Sequence, residues 1–354
     1  MLPISRILLT RMKYIGDVVL TTPIIRSVRA RYPEAFIAYL ADKEAVSLLH
    51  ANPFIDEIIP YDFSRPTVLE QPGVALHLRR RKFDAVVDLF GNPRSALLSY
   101  LSGAPIRIGG DFGSRGKLFT HRIREDGKPK TAIEFHYQYV KPLDVEPTSW
   151  KTEVFLTEDE KRDAGILLKS MGMNLERPIV AIHPGATWPA KIWPSERFAE
   201  LARSLERTDA QAVLLQGPRD GAVAQQVARL APASVRMLGV LPVRQLAAVL
   251  AHSWVCVAND AAPMHIAVAV GTPTVGIFGP GEEYIWFPYR TPYYEASQSH
   301  VALRKDVACH PCHLNVCNRT GDGYMECMRL LSSEEVLHVV EKTLGLSRSS
   351  RLGA

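Results

Sequence analysis

The chain has no uninterrupted apolar run approaching the roughly 18–20 residues that a bilayer-spanning helix needs. Its opening, MLPISRILLTR, lacks the basic region, apolar segment and cleavage site of an export signal, so a cytoplasmic protein is expected. Charge of one sign is also scarce, the formal net value being only +5. Residues 1–150 hold 21 Lys and Arg against 16 Asp and Glu, whereas the remainder holds 21 of each. That excess is too small for a nucleic-acid arm, and no nucleic-acid partner is expected. It suits an acidic partner or an anionic membrane surface met by the first half, or is simply a solvated basic surface. Low-complexity and short-repeat segments are missing as well.

Nucleotide-binding signatures are absent in turn. Neither half has GxGxxG at its first strand-to-helix turn, and GxxxxGK[ST] does not occur, which disfavours standard dinucleotide hydride transfer and P-loop hydrolysis. There is no DxD pair for a divalent cation bridging a diphosphate. A helix dipole and a side-chain cation would have to do that work.

What the chain does have is alternation. RILLT, FIAYLA, IDEIIP, FDAVVDLF and IRIGG are apolar runs of strand length, separated by helical segments such as 18–31, 44–50 and one ending LHLRRRK. After an irregular region, 122–151, the pattern resumes with RPIVAIHPG, QAVLLQG, SVRMLG, WVCVAND and TPTVGIFGP. The pattern predicts an α/β fold of two Rossmann-like, doubly wound parallel-sheet domains facing a cleft, with ligands beyond the carboxyl ends of the strands. The expected domains are residues 1–165 and 166–335, followed by a helix and tail over 336–354 whose SRSSRLGA end frays.

The chemistry-bearing residues fall in loops after strands. In MKYIGDVVLTTPIIRSV, Gly16 offers room at a strand-to-helix turn, and Asp17 is either a helix cap or a carboxylate facing a ligand. In VAIHPGATWPAKIWPSERF, the small-residue loop, the Thr187 hydroxyl and the Lys191 ammonium suit a diphosphate; the plain alternative is an ordinary loop with an exposed lysine. In WVCVANDAAPMHIAVAVGTPTVGIFGP, Asp260 either caps a helix or accepts from a sugar hydroxyl, His265 is a core histidine or a ligand contact, and Gly279 permits close backbone approach. Asp220 and Leu241 lie in the loops after QAVLLQG and SVRMLG, which show no decisive base-reading pattern; the ribose and base contacts expected of them follow from the resemblance below. Cys309, Cys312, Cys317 and Cys327 fall within CHPCHLNVCNRTGDGYMECM, where they form a structural Zn²⁺ site, a redox-sensitive pair or free thiols; Cys256 reads as core.

Three stretches together, KYIGDVVLTTPIIRSVRARYP, HPGATWPAKIWPSERFAEL and ANDAAPMHIAVAVGTPTVGIFGP, resemble the ADP-heptose:lipopolysaccharide heptosyltransferases, glycosyltransferase family 9. The resemblance implies a GT-B fold with an N-terminal acceptor domain, a C-terminal nucleotide-sugar domain carrying a Cys-rich segment at 309–327, and an inverting reaction that requires no metal cofactor. Asp17 then matches the family's catalytic base and Lys191 its diphosphate ligand, with Thr187 beside it. Asp260 and His265 match the donor-contacting D-x-x-x-x-H pair. This chain has Ala261 and Ala262 where many members carry hydroxyl or glycine residues, which removes side-chain contacts to phosphate.

The implied partners are ADP-heptose or a related nucleotide sugar and a lipopolysaccharide inner-core acceptor, met at the cytoplasmic face of the inner membrane. Arg94, Arg107 and Arg115 are candidates for gripping the acidic acceptor. Two rival expectations are a GT-B transferase for another nucleotide sugar and a non-catalytic two-lobed sugar-binding protein.

Overall fold

The computed structural model describes residues 4–287 and 299–352. The chain divides into two compact units, Met1–Phe155 and Leu156–Ala354. The divide precedes helix Glu158–Ser170, which the expected boundary at 165 would have cut. That helix belongs to the second unit because it packs on helix Val243–His252, where the Arg244 guanidinium bonds both oxygens of Glu160.

The first unit is a six-stranded sheet of β1 (Arg6–Thr10), β2 (Phe36–Asp42), β3 (Glu57–Tyr61), β4 (Ala85–Asp88), β5 (Ile106–Gly110) and β6 (His121–Ile123), in the order β3-β2-β1-β4-β5-β6. Every pairing is parallel. Strands covered on both faces read as continuous apolar runs, as RILLT and AVVD do. β6 is the exception: HRI is short, polar and at an edge, so no apolar run announces it.

The second unit repeats the plan with β7 (Ile179–His183), β8 (Gln211–Leu214), β9 (Val235–Met237), β10 (Val255–Asn259), β11 (Thr274–Ile277) and β12 (His300–Leu303). Its order, β12-β11-β10-β7-β8-β9, is the same winding read from the other edge, again all parallel. Helix Ser333–Leu352 runs into the segment expected to fray.

The segment expected as one helix over 18–31 is two, Ile15–Leu20 and Thr22–Arg31. Thr21 makes the break: its hydroxyl donates to the Val18 carbonyl at 2.8 Å and shares a 2.5 Å hydrogen bond with Tyr39. Pro23 starts the second helix where a missing N–H costs nothing. Behind this junction lies His136 on helix Ala132–Val140, whose pKa is lowered to about 3 by burial and by the Arg11 charge.

A histidine that stays neutral when folded and protonates when unfolded makes stability fall with acidification below about pH 6.5. Between pH 7 and pH 5 this linkage removes about 2 kcal/mol. Denaturant titrations of wild type and His136→Gln at both pH values check it: the variant is expected to lose less stability over that interval.

Candidate functional site

A doubly wound parallel sheet opens a crevice where its winding reverses, beyond the carboxyl ends of the two central strands. In the first unit these are β1 and β4. Asp17 sits just after β1, inside the first turn of helix Ile15–Leu20. Its Oδ2 accepts the Tyr14 amide at 3.0 Å, and its Oδ1 meets Arg11 Nη2 at 2.7 Å. Asp17 is therefore a helix cap and also an ion-paired carboxylate. Each oxygen keeps a further lone pair, and 14% of the side chain remains exposed, so it can still accept from a hydroxyl.

Arg11 is the residue that sequence reasoning missed. Its Nη1 donates to the Leu89 carbonyl at 2.9 Å and its guanidinium lies 5.0 Å from the Phe90 ring centroid, joining the loops after β1 and β4. Nothing in RILLTRMKYIGD shows that an arginine six residues ahead of an aspartate will fold back onto it. The β4 loop is itself organised by Asp88, fully buried, which accepts the amides of Phe90 and Gly91 and the Ser95 hydroxyl. Burial raises the Asp88 pKa. Around this edge Lys13 and Arg94 both stack on Phe63, at 4.4 and 4.9 Å, and Arg115 lies 5.6 Å from Phe112. The result is a rim of cations and aromatic rings along the loops after β1, β3, β4 and β5, which also carries Asp62 and Asp111. Gly16 is buried beneath it. Arg107 is placed differently: it donates to the carbonyls of Ala104 and Leu118 and so fastens the turns flanking β5 instead of joining that rim.

In the second unit the reversal lies between β7 and β10. Lys191 Nζ meets Asp260 Oδ2 at 2.5 Å and lies 4.5 Å from the Trp188 ring centroid, so the lysine is held instead of exposed. Asn259 fixes the loop that carries it: Nδ2 donates to the Pro184 carbonyl at 2.8 Å, and Oδ1 accepts the Trp193 amide at 3.2 Å. Asp260 does not cap the next helix. Ala261 is the N-cap of helix Ala262–Ala269 and makes no side-chain cap bond, which leaves that end's donors for a ligand. His265 is buried within this helix, and Thr187 is exposed in the β7 loop.

Asp220 Oδ2 bonds His183 Nε2 and the Gly217 amide, both at 3.2 Å. The His183 hydrogen bond is the main cause of its lowered pKa. The carboxyl lies against Gly185, where a Cβ would come within 2.2 Å of it. Asp220 thus braces the β7 loop. Leu241 is half-buried beyond β9. Gly279 is also tightly packed: a Cβ there would meet Met328 Sδ at 2.4 Å and the Ala190 carbonyl at 3.3 Å. A Cβ on Gly281 would lie 3.5 Å from Asp260 Oδ2.

The expected zinc site also needs correction. Among the described residues no group of three or more His, Cys, Asp or Glu side chains is placed to hold a metal ion, and all five cysteines are free. The Cys309 sulfur accepts from Arg319, Cys317 accepts the Met325 amide, and Cys327 packs on the core, its thiol pushed up to about 11 by burial and the neighbouring cysteines. Cys256 is core, pushed up to about 12. The segment instead buttresses the site: the amides of Cys312 and His313 donate to Pro280, His310 Nδ1 bonds the Gly279 carbonyl, and the Ala190 amide donates to Asn315.

The profile of glycosyltransferase family 9 (heptosyltransferase) matches residues 74–319. A curated relative, lipopolysaccharide heptosyltransferase 3 of Escherichia coli, is 28% identical over 302 residues, 78% of this chain and 84% of its own length. The solved family 9 glycosyltransferase of Veillonella parvula is 25% identical and superimposes with a TM-score of 0.82 over 96% of this chain and 97% of its own. The ADP-heptose lipopolysaccharide heptosyltransferase II of E. coli, at 24% identity, gives 0.77 over 97% and 99%, a likeness of fold. The two six-stranded α/β domains are those of the GT-B heptosyltransferases, as expected from the sequence.

Replacing Asn259 by Ala leaves the buried Trp193 amide and Pro184 carbonyl without partners, each costing about 1–3 kcal/mol. Urea unfolding of Asn259→Ala, followed by Trp fluorescence, is expected to show a loss on the order of 2–4 kcal/mol.

Proposed function

The chain belongs to glycosyltransferase family 9, and from that premise we propose that it transfers heptose from ADP-heptose to the inner core of lipopolysaccharide, onto Kdo or an earlier heptose. The reaction inverts the anomeric centre and requires no metal ion. The observation that carries this reading is the Lys191–Asp260 pair, set between β7 and β10 beside an uncapped helix N-terminus. In the donor complex the ammonium turns from Asp260 to the diphosphate, which also accepts from the helix amides and Thr187. Asp260, released, accepts from a sugar hydroxyl, with His265 behind it. Asp220 Oδ1 and Leu241 are assigned to the ribose and the adenine.

The first unit serves the acceptor. Arg94, Arg115 and Lys13 meet its carboxylates and phosphates, and Gly16 leaves it room. The acceptor oxygen bonds the anomeric carbon as the bond from that carbon to the diphosphate oxygen breaks. The hydroxyl becomes acidic once bonded to carbon, and its proton passes to Asp17. ADP leaves with the electron pair, its charge met by Lys191. Because the acceptor is lipid-anchored, the protein works peripherally at the cytoplasmic face of the inner membrane.

The reading is tested by incubating the protein with ADP-heptose or UDP-sugars and a Kdo-bearing lipid acceptor, with released nucleotide followed by mass spectrometry. ADP released only from ADP-heptose, and only with acceptor present, is expected; release from a UDP-sugar alone refutes the donor assignment. Asp17→Asn is expected to lower kcat about 10²–10⁴-fold while the donor Kd stays within about twofold, since Asp17 serves the acceptor and not the diphosphate. Lys191→Ala has the complementary signature, a donor Kd weakened about tenfold or more by calorimetry as a charge-assisted bond is lost.

A further inference from the structure

Residues 67–110 contain six Lys and Arg against three Asp and Glu, a local net charge of +3 out of +5 for the whole chain. All three acids are engaged: Asp88 is fully buried, Asp84 Oδ2 accepts from the Ser5 amide and hydroxyl and the Arg6 amide, and Glu70 accepts the Asp62 amide and pairs with Arg65. Two helices of this segment, Thr67–Arg81 and Pro93–Leu101, pack side by side.

On the first helix Gln71, Ala75 and Leu78 point inward and are buried, so the opposite stripe faces solvent. That stripe carries Leu69 and Leu76, 72% and 49% exposed, with Pro72 and Gly73 exposed between them. A Cβ on Gly73 would meet nothing within 4 Å. The second helix adds Leu97 and Tyr100, 39% and 51% exposed. The first helix ends in a cationic cluster where Arg79, Arg80 and Lys82 are exposed, while Arg81 is paired with Glu57. Arg79 Nη1 reaches to 3.4 Å from a Cβ position on Gly103, just past the second helix, so the charge borders both apolar stripes.

Exposed leucines two helical turns apart, flanked by cations and with no free acid among them, complement one kind of surface: an apolar layer topped by anionic headgroups. We propose that the outer face of this helix pair docks on an anionic phospholipid bilayer, with Leu69, Leu76, Leu97 and Tyr100 entering the headgroup boundary and Arg79, Arg80 and Lys82 meeting the phosphates. It sharpens the peripheral position proposed above by naming the surface. Its failure would leave transfer to a detergent-dispersed acceptor intact, so the two readings fail separately.

The test is flotation of the full chain with vesicles of pure phosphatidylcholine or of phosphatidylcholine with one-quarter phosphatidylglycerol. Wild type is expected to bind the anionic vesicles at least tenfold more tightly. The triple change Arg79→Gln, Arg80→Gln, Lys82→Gln is expected to weaken that binding on the order of 100-fold. Leu69→Ser with Leu76→Ser should weaken it about tenfold or more, with donor binding and the thermal midpoint reporting that the fold is kept. Tyr100→Trp gives an independent reading, a blue-shifted emission on anionic vesicles alone. Equal binding to both vesicles, wild-type binding by both variants, or unshifted Trp emission would overturn the proposal. Loss with the charge variant but not the leucine variant would overturn the entry of the leucines into the headgroup boundary, leaving electrostatic adsorption alone.

Discussion

Each parallel sheet reverses its winding once, and that reversal is the constraint on which the rest depends. Two central strands send their following helices to opposite faces, so the loops at their carboxyl ends part and leave backbone groups open. Between β1 and β4 the opening holds Asp17, and between β7 and β10 it holds Lys191 and Asp260. Asp17, Lys13, Arg94, Thr187, Lys191, Asp260 and His265 lie in or beside such a loop, whereas Arg115, Asp220 and Leu241 follow the neighbouring strands β5, β8 and β9. The helices and cores behind them differ in detail, but the openings follow from topology alone.

Both openings hold a carboxylate paired with a cation, but different members of the pair are assigned the chemistry. The first presents a carboxylate within a rim of cations and aromatic rings, suited to an acidic substrate that must surrender a proton. The second presents an ammonium held by a carboxylate beside a helix N-terminus, suited to receiving a leaving diphosphate. In both, the functional group is already paired inside the protein: Asp17 with Arg11, Lys191 with Asp260. Such pairing holds a side chain in one rotamer before substrate arrives and offsets the cost of keeping a charge partly buried. In the proposed donor complex the diphosphate takes the place of Asp260 at the lysine, which joins binding to exchange of partners.

Much of this was legible in the residues themselves. Ten of the twelve strands are apolar runs bounded by loop residues, and they place Asp17 just after the first strand; its role as base came from the family resemblance and stands as a proposal. β6 and β12 were not legible, because three or four partly polar residues at a sheet edge carry no periodic signal. The partners were not legible either. Arg11 reaches Asp17, Asn259 staples the β7 loop, and His183 holds Asp220 through folded geometry that spacing along the chain does not encode. Gly279 shows the same limit, since the Met328 contact that needs it small leaves no mark in the sequence. For the cysteines, spacing left a zinc site, a redox-sensitive pair and free thiols open, and among the described residues they stand as free thiols with no metal-holding group.

The central claim is a single direct displacement, with Asp17 as base and no side chain attacking the sugar. The configuration of the new glycosidic bond tests it most directly. Nuclear magnetic resonance of the product formed from ADP-heptose of known anomeric configuration is predicted to show that configuration inverted. A product that retains it would require a covalent or front-face route and would contradict the account.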